Sequence, residues 1–247
     1  MSLPLFRFAQ LSNVPGVVHG ITTRLGGVSE GRCESLNVSY SVGDPNDNVD
    51  ENLRRAADAL GARREDLFAA YQIHGRDVTL VEADSEARPR CDVLVTRSPA
   101  RTLMLRYADC TPVLLADTRQ PAVGVVHAGW RGSAVRAAGA AVEAMVTAFG
   151  SNPRDLVAGV GPAIGPCCYM VGDDVRAAFS DRPELFEDGR LDLWEANRQA
   201  LVEAGVPTDH IEVAGICTRC HAETYFSHRA NGGQPAGRFA GLIRLEC

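Results

Sequence analysis

The sequence predicts a single α/β (α+β) domain in which a mixed β-sheet is flanked by helices. Short runs rich in β-forming residues alternate along the chain with amphipathic segments. No repeat and no Pro/Gly/Ser-rich linker divides the 247 residues. Hydrophobic residues make up 45% of the chain and charged residues 23%, a balance that allows a large core. We therefore expect one layered domain over residues 1–247.

Five segments are expected to form strands. Residues 77–83, 92–96 and 102–107 are rich in β-formers and are separated by turn-forming or charged residues. A buried strand is expected to start at Asp155 and to run into a Gly/Pro loop. Residues 211–218 are the last expected core strand.

Four segments are expected to form helices. Residues 43–61 combine turn residues, acidic residues near the start, helical apolar spacing and a final glycine. Residues 133–150 are alanine-rich, with a serine cap and a glycine stop, and are expected to form one long helix. Residues 172–180 and 191–205 also have helical spacing.

Charge and composition exclude several functions. The net charge is -6, which argues against general attraction to nucleic acid or to an anionic membrane. All 25 basic residues are arginine, which excludes Schiff-base chemistry, a lysine-held pyridoxal phosphate and the Walker A lysine. The first ten residues lack a basic segment followed by a long apolar run, so we expect a cytoplasmic protein.

The stretch 107–132 raises the question of a reactive cysteine–histidine pair. If Val113–Ala116 and Val123–Val126 form a hairpin in which Ala116 faces Pro121, then Cys110 lies opposite His127. Directly opposed residues have Cβ atoms about 4.5–5.5 Å apart. A slip by one residue would separate the two side chains, and Pro112 disfavours regular pairing.

Such a pair has three interpretations: a thiolate nucleophile, two metal ligands, or a buried thiol beside a core histidine. A third ligand would favour a metal, and His74 in "YQIHG" is available, although spacing alone does not assign it. The "GWRG" turn after His127 opens a predicted helix, so its amides and Arg131 are suited to an anion.

Two further cysteine motifs carry weaker indications. "CTRCH" at 217–221 fits the haem-attachment pattern C-x-x-C-H, but the chain shows no export signal. Its CxxC lacks the second pair of a structural zinc site, and adjacent Cys167 and Cys168 bridge only with strain. Packed thiols are therefore the favoured interpretation of both.

Several motifs in order resemble the YfiH family, whose members have also been called laccase-domain proteins, multicopper polyphenol oxidases and, more recently, purine nucleoside phosphorylases. The matching stretches are "GITTRLGGVSEG", "SLNVSYSVGD", "YQIHG", "ADCTPVLL", "GVVHAGWRG", "GVGPAIGPCCYMVG", "CTRCHAETYFSHRANGG" and "GRFAGLI". The resemblance covers nearly the whole chain. It implies a fold similar to that of cytotoxic necrotizing factor catalytic domains.

The resemblance also implies an activity and a cofactor. It implies zinc bound by His74, Cys110 and His127, which would be the catalytic residues, and phosphorolysis of adenosine, inosine and methylthioadenosine with adenosine deamination alongside. Purine nucleosides and phosphate are then the expected partners. Two histidines and one cysteine leave a fourth zinc position open for catalysis.

Further residues in the matching motifs are candidates for substrate binding. Arg24 and Arg131 are expected to bind phosphate, because a guanidinium pairs two phosphate oxygens. Gln72, Asp109 and Asn37 are expected to orient substrate or ligands. Where family members often carry an acid and a second arginine, this chain has Met170 and Ala230.

Copper is not expected as the cofactor. A multicopper oxidase needs many histidines, typically in His-x-His pairs, and this chain has six histidines and no such pair. Two alternatives to the phosphorylase stay open. One is a peptidoglycan-precursor editing hydrolase that uses the Cys–His site. The other is a non-catalytic zinc-binding or thiol-redox regulatory protein.

Overall fold

Two mixed β-sheets lie face to face at the centre of the protein, in a computed structural model that describes residues 3–86 and 88–246. The strands are β1 (Leu5–Phe6), β2 (Val17–Thr22), β3 (Leu67–Ala69), β4 (Val78–Val81), β5 (Val93–Thr96), β6 (Thr102–Tyr107), β7 (Thr111–Asp117), β8 (Val123–Ala128), β9 (Leu156–Val160), β10 (Phe186–Glu187), β11 (Arg190–Leu191), β12 (Ile211–Val213) and β13 (Phe239–Leu245). The helices are α1 (Ala9–Ser12), α2 (Asn46–Asp58), α3 (Trp130–Ala134), α4 (Ala137–Phe149), α5 (Asp173–Ala178) and α6 (Leu193–Glu203).

The first sheet has the strand order β1-β2-β13-β6-β3 and the second has the order β12-β9-β7-β8-β5-β4. Both are mainly antiparallel. Parallel pairing occurs between β3 and β6 in the first sheet, and between β4 and β5 and between β9 and β12 in the second. Strands β10 and β11 form a separate small hairpin. The predicted mixed sheet is therefore divided into two.

Helices cover the outer faces of both sheets. Leu105 of the first sheet and Leu114 of the second belong to the core between them. The far side of the second sheet packs on α4 and α6, and α2 packs on the far side of the first. Because β7, β8 and β9 are buried on both faces, they appear in the sequence as continuous apolar runs.

The prediction of one long helix over 133–150 is wrong in its continuity, because the chain forms the two helices α3 and α4 there. Helix α3 begins at Trp130, and Arg136 between the helices has a left-handed backbone with φ 58°. The Arg136 side chain bonds Glu203 of α6 and Asp181. These tertiary contacts favour the break that the local sequence does not indicate.

The strand expected over 211–218 is shorter than predicted. It ends at Val213, and Cys217 then makes an isolated parallel bridge with Ala163. The other predicted strands and helices lie within a few residues of their expected positions. No helix among residues 3–86 and 88–246 has the length and apolar character to cross a membrane.

The β7–β8 hairpin forms with a register different from the predicted one by two residues. Ala116 lies opposite Val123, and Pro112 lies opposite His127. Pro112 is tolerated because its carbonyl faces β9, where it accepts a bond from the Gly161 amide, while the amide of His127 donates to Asp92. The Pro112 carbonyl and the His127 amide are therefore not used for hydrogen bonds between β7 and β8. A shift of two residues also keeps every side chain on its predicted face.

Candidate functional site

His74, Cys110 and His127 meet at one end of the second sheet, and their ligating atoms all lie within 4.8 Å of one another. His74 lies in the loop between β3 and β4, Cys110 directly precedes β7, and His127 is near the end of β8. Because the observed register of the β7–β8 hairpin differs from the predicted one by two residues, Cys110 is a diagonal neighbour of His127 on the same face. We call these three residues the His–Cys–His group.

A buried carboxylate organises the group. Asp92, which is fully buried, accepts bonds through Oδ2 from the amides of Ile73 and Gly75 at 3.0 and 2.8 Å. These bonds hold the loop around His74, whose own backbone is left-handed with φ 62°. The loop therefore presents the His74 ring towards Cys110 and His127.

Asp92 also sets the orientation of His127. Its Oδ1 lies 2.7 Å from His127 Nδ1, which leaves Nε2 as the free ring nitrogen. A carboxylate behind a histidine is the usual support for a metal ligand, because it determines the tautomer and raises ligand basicity. Sequence reasoning missed Asp92, although an acidic residue directly before a buried strand was visible.

The group favours charge separation. Burial opposes ionisation of the Cys110 thiol, but the charge of His127 and hydrogen bonds from both histidines outweigh it and lower the pKa of Cys110 to about 6. Burial also opposes protonation of His127, but the Cys110 thiolate and Asp92 raise its pKa to about 9. Both shifts favour a thiolate beside an imidazolium in the pair without metal.

The donor atoms suit zinc. One thiolate and two imidazoles form the ligand set of a catalytic zinc ion with one open position. A Cβ placed on Gly129 would lie 2.9 Å from Cys110 Sγ and 3.3 Å from His74 Cδ2. The absence of a side chain at Gly129 therefore keeps the space around the donors open.

A cavity of about 550 Å³ lies beside the His–Cys–His group, and His74 and His127 line it. Two tyrosines and four arginines also line it. The described lining includes no aspartate or glutamate and consists of Ser39, Tyr40, Ser41, Tyr71, Gln72, Ile73, His74, Arg88, Arg90, Arg106, His127 and Arg238. We call this space the arginine cavity.

The arginine cavity concentrates positive charge without a lining carboxylate. Burial, and then the like charge of Arg88, lowers the pKa of Arg106 to about 10. Burial also lowers the pKa of Arg238. Mutually repelling guanidinium groups in a cleft are suited to an anion, which would relieve the repulsion.

Sequence reasoning missed all four arginines of the cavity. Arg88 and Arg90 lie in the β4–β5 loop, Arg106 lies on β6, and Arg238 directly precedes β13. They belong to no common local motif, since two different sheets bring them together. The available indications were the positions of arginines near strand ends and, for Arg238, its place in the matching stretch "GRFAGLI".

The two arginines predicted to bind phosphate, Arg24 and Arg131, do not line the arginine cavity, and their role in phosphate binding stays a prediction. Arg24 donates to the carbonyls of Glu34 and Ala222 and lines a different cavity with Arg32. Arg131 is exposed, with its guanidinium 4.2 Å from the Trp130 ring centre, and it does not line the arginine cavity. The "GWRG" turn opens α3, a helix of only five residues.

Asn37 and Asp109 support the site without lining the cavity. Asn37 is fully buried, and its Oδ1 accepts bonds from the amides of Ser39 and Arg238, two residues that line the cavity. Asp109 accepts from the Thr218 hydroxyl and from the Arg229 amide, both at 2.7 Å. Asn37 therefore holds the backbone of two lining residues from behind, and a role in orienting substrate stays a prediction for Asn37 and Asp109.

Gln72 is the one residue of the five predicted substrate-binding residues that lines the cavity. Its amide pairs with the backbone of Arg106, donating to the carbonyl at 2.8 Å and accepting from the amide at 3.0 Å. Gln72 thus positions Arg106 from inside the cavity.

Comparison with known proteins extends these observations. The chain matches, over residues 18–246, the model of a family described as multi-copper polyphenol oxidoreductase laccase. It is 38% identical over 252 residues to a Geobacillus stearothermophilus protein named purine nucleoside phosphorylase YlmD, covering 94% of this chain and 91% of that protein. It is 33% identical over 238 residues to Escherichia coli purine nucleoside phosphorylase YfiH, with coverages of 93% and 94%.

Solved structures share the fold. The crystal structure of the Bacillus licheniformis hypothetical protein YfiH superposes with a TM-score of 0.91 at 35% identity, covering 98% of this chain and 99% of that one. YlmD from Geobacillus stearothermophilus superposes with a TM-score of 0.87 at 37% identity, covering 95% and 93%. The layered α+β architecture is therefore common to these proteins.

Proposed function

The chain belongs to the YfiH family of laccase-like proteins, and we propose that it is a zinc-dependent purine nucleoside phosphorylase. The observation that carries the proposal is the placement of the carboxylate-free arginine cavity beside the His–Cys–His group. Phosphorolysis needs both a phosphate site and a group that assists bond cleavage. The names of the relatives agree with this activity.

The arginine cavity binds the phosphate in this proposal. Arginine guanidinium groups pair two phosphate oxygens each, and the cavity offers four of them. Gln72 holds the backbone of Arg106, and Asn37 holds that of Arg238. These contacts fix the backbone from which each arginine side chain extends, which favours a preorganised anion site.

The same cavity has room for a nucleoside. Its volume of about 550 Å³ falls within the range of small-molecule sites. Tyr40 and Tyr71 are 37% and 56% exposed and offer aromatic surface to a purine. With phosphate on the arginines and the base on a tyrosine, the ribose would lie between them.

The reaction transfers the ribosyl group to phosphate. A phosphate oxygen forms a bond to C1′ while the C1′–N9 bond breaks, and the purine leaves with the electron pair and takes up a proton. The products are ribose 1-phosphate and the free base. The arginines hold the attacking phosphate, and His74 of the His–Cys–His group lies at the cavity wall.

His74, Cys110 and His127 are the residues that would hold zinc. Zinc bound there would supply a Lewis acid that polarises a substrate oxygen or nitrogen, or that lowers the pKa of water. Asp92 keeps His127 in the tautomer that a metal needs. Adenosine deamination, which replaces an amino group by a water oxygen, would use the same group without phosphate.

The test is to incubate the purified protein with inosine or adenosine, with and without inorganic phosphate, and to measure free base and ribose 1-phosphate. We expect base release that depends on phosphate and is lost in Cys110→Ala. Base release that is indifferent to phosphate would be nucleoside hydrolysis and would contradict the phosphorylase proposal. Release of an amino acid from a UDP-linked peptidoglycan precursor would favour the editing-hydrolase alternative. A complete lack of turnover in zinc-loaded protein would favour the regulatory alternative.

Arginine variants locate the phosphate site. Arg88→Gln and Arg90→Gln should each raise the KM for phosphate about 10-fold or more, because each removes a charge-assisted bidentate contact. Arg24→Gln and Arg131→Gln are matched controls, since both arginines lie outside the cavity. Larger effects from the controls would place the phosphate elsewhere.

Copper oxidation fits this chain poorly, despite the description of the family. Among the described residues the His–Cys–His group has only two histidines, and the chain has six in all, without a His-x-His pair. The matching assay is phenol oxidation by copper-loaded and zinc-loaded protein. Copper-stoichiometric turnover would contradict the zinc proposal.

A further inference from the structure

Four cysteines from two loops that are distant in the sequence lie together outside the His–Cys–His group. Two follow the "GPAIGP" loop, and two form the CxxC motif after β12. Their sulfur atoms all lie within 4.8 Å of one another, and the cysteine cluster consists of Cys167, Cys168, Cys217 and Cys220.

The predicted packing of isolated thiols is therefore incomplete. The CxxC motif does not lack a second pair, because Cys167 and Cys168 supply one from about fifty residues away in the chain. A parallel bridge between Ala163 and Cys217 ties the two loops together. The Gly165 amide donates to Cys217 Sγ at 3.3 Å, as backbone amides do to metal-bound thiolates.

The sulfur separations fit a tetrahedral metal site better than a disulfide. Zinc–sulfur bonds of about 2.3 Å place tetrahedral sulfurs about 3.8 Å apart. Cys220 Sγ lies 3.7 Å from Cys167 Sγ and 3.5 Å from Cys168 Sγ. A disulfide requires about 2.05 Å, and all four cysteines are free thiols.

We propose that the cysteine cluster binds a second zinc ion as a closed, four-thiolate structural site. Four thiols lose four protons on binding Zn²⁺, and the filled site carries a net charge of -2. With every position taken by sulfur, this ion has no open position for a substrate. The proposal is independent of the phosphorylase activity.

The second zinc ion supports the candidate active site through a short chain of contacts. Thr218, next to Cys217, donates its hydroxyl to Asp109 Oδ1 at 2.7 Å. Asp109 has a left-handed backbone with φ 83° and directly precedes Cys110. A metal that fixes the 217–220 turn therefore fixes the approach of Cys110 to the two histidines.

The test counts zinc in a variant whose His–Cys–His group cannot bind it. His74→Ala/Cys110→Ser protein is purified with reductant and zinc, and its metal content is measured by mass spectrometry. We expect one zinc per chain, against two in the unmodified protein. Zinc X-ray absorption of the double variant should show four sulfur ligands at about 2.3 Å.

Adding Cys217→Ser to the double variant should remove the remaining zinc. Cys91→Ser is the matched control, because Cys91 is also a buried free thiol but lies outside the cysteine cluster. The absorption measurement needs no further variant, so it decides the question even if Cys217→Ser does not fold. The proposal is overturned if the double variant contains no zinc and its thiols are reactive. It is also overturned if protein purified with reductant contains a Cys168–Cys220 disulfide.

Discussion

Replacing Gly129 by alanine should disrupt the His–Cys–His group while leaving the fold intact. The Gly129 backbone, with φ -73°, is accessible to alanine, so no backbone strain is expected. The new Cβ would lie 2.9 Å from Cys110 Sγ and 3.3 Å from His74 Cδ2. Ordinary contacts are about 3.5–4.0 Å, so the sulfur must move by about 0.6 Å or more.

A displacement of this size is large for a metal site. Misplacement of reacting groups by about 1 Å can cost about 100-fold in rate. We expect Gly129→Ala to bind zinc at this group at least about 10-fold more weakly and to lose nucleoside phosphorolysis in parallel. Zinc competition titration and the phosphate-dependent assay measure the two effects, and circular dichroism checks the fold.

Gly75→Ala is the matched control for this prediction. Gly75 is adjacent to His74, but a Cβ there would meet nothing closer than Ile73 at 3.8 Å, an ordinary contact. Its amide bond to Asp92 would remain. If Gly129→Ala kept the zinc affinity and activity of the control, the proposed packing of the three donors would be refuted.

Three further predictions concern the same site. In metal-free protein, the rate of Cys110 alkylation should rise with a midpoint near pH 6 and then level off, because the pKa of Cys110 is lowered from its ordinary value of 9.0. A midpoint near pH 9 would contradict the ion pair. Asp92→Asn should weaken zinc binding about 10- to 100-fold by removing the carboxylate behind His127, and unchanged affinity in a zinc titration would count against that role. Thr218→Val should lower the free energy of unfolding by about 1.5–3 kcal/mol, since it removes a hydrogen bond to the Asp109 carboxylate. Urea denaturation at constant zinc measures this change, and an unchanged free energy of unfolding would count against the contact.

Most secondary structure was predictable from the sequence because its indications are local. Strand β6 occupies the predicted residues 102–107, and α2 lies within the predicted segment 43–61. The break between α3 and α4 was not predictable, because Arg136 adopts its left-handed conformation alongside contacts with Asp181 and Glu203. Those partners are distant in sequence.

The hairpin shows why a partly wrong prediction still brought two functional residues together. The register was wrong by two residues, but side chains alternate between faces with a period of two. Cys110 and His127 therefore remained on one face. The support for His127 from Asp92 was not predictable in the same way, because it crosses from β8 to the residue before β5.

The sequence by itself determined the fold class, the placement of Cys110 and His127 on one face and, through the family motifs, the candidacy of His74. Only the tertiary structure decided which arginines face the cavity and which cysteines meet. The physical reason is that periodicity and turn chemistry act between residues close in sequence. The packing of the two sheets instead brings Arg88 beside Arg106, and the connections between strands bring Cys168 beside Cys220.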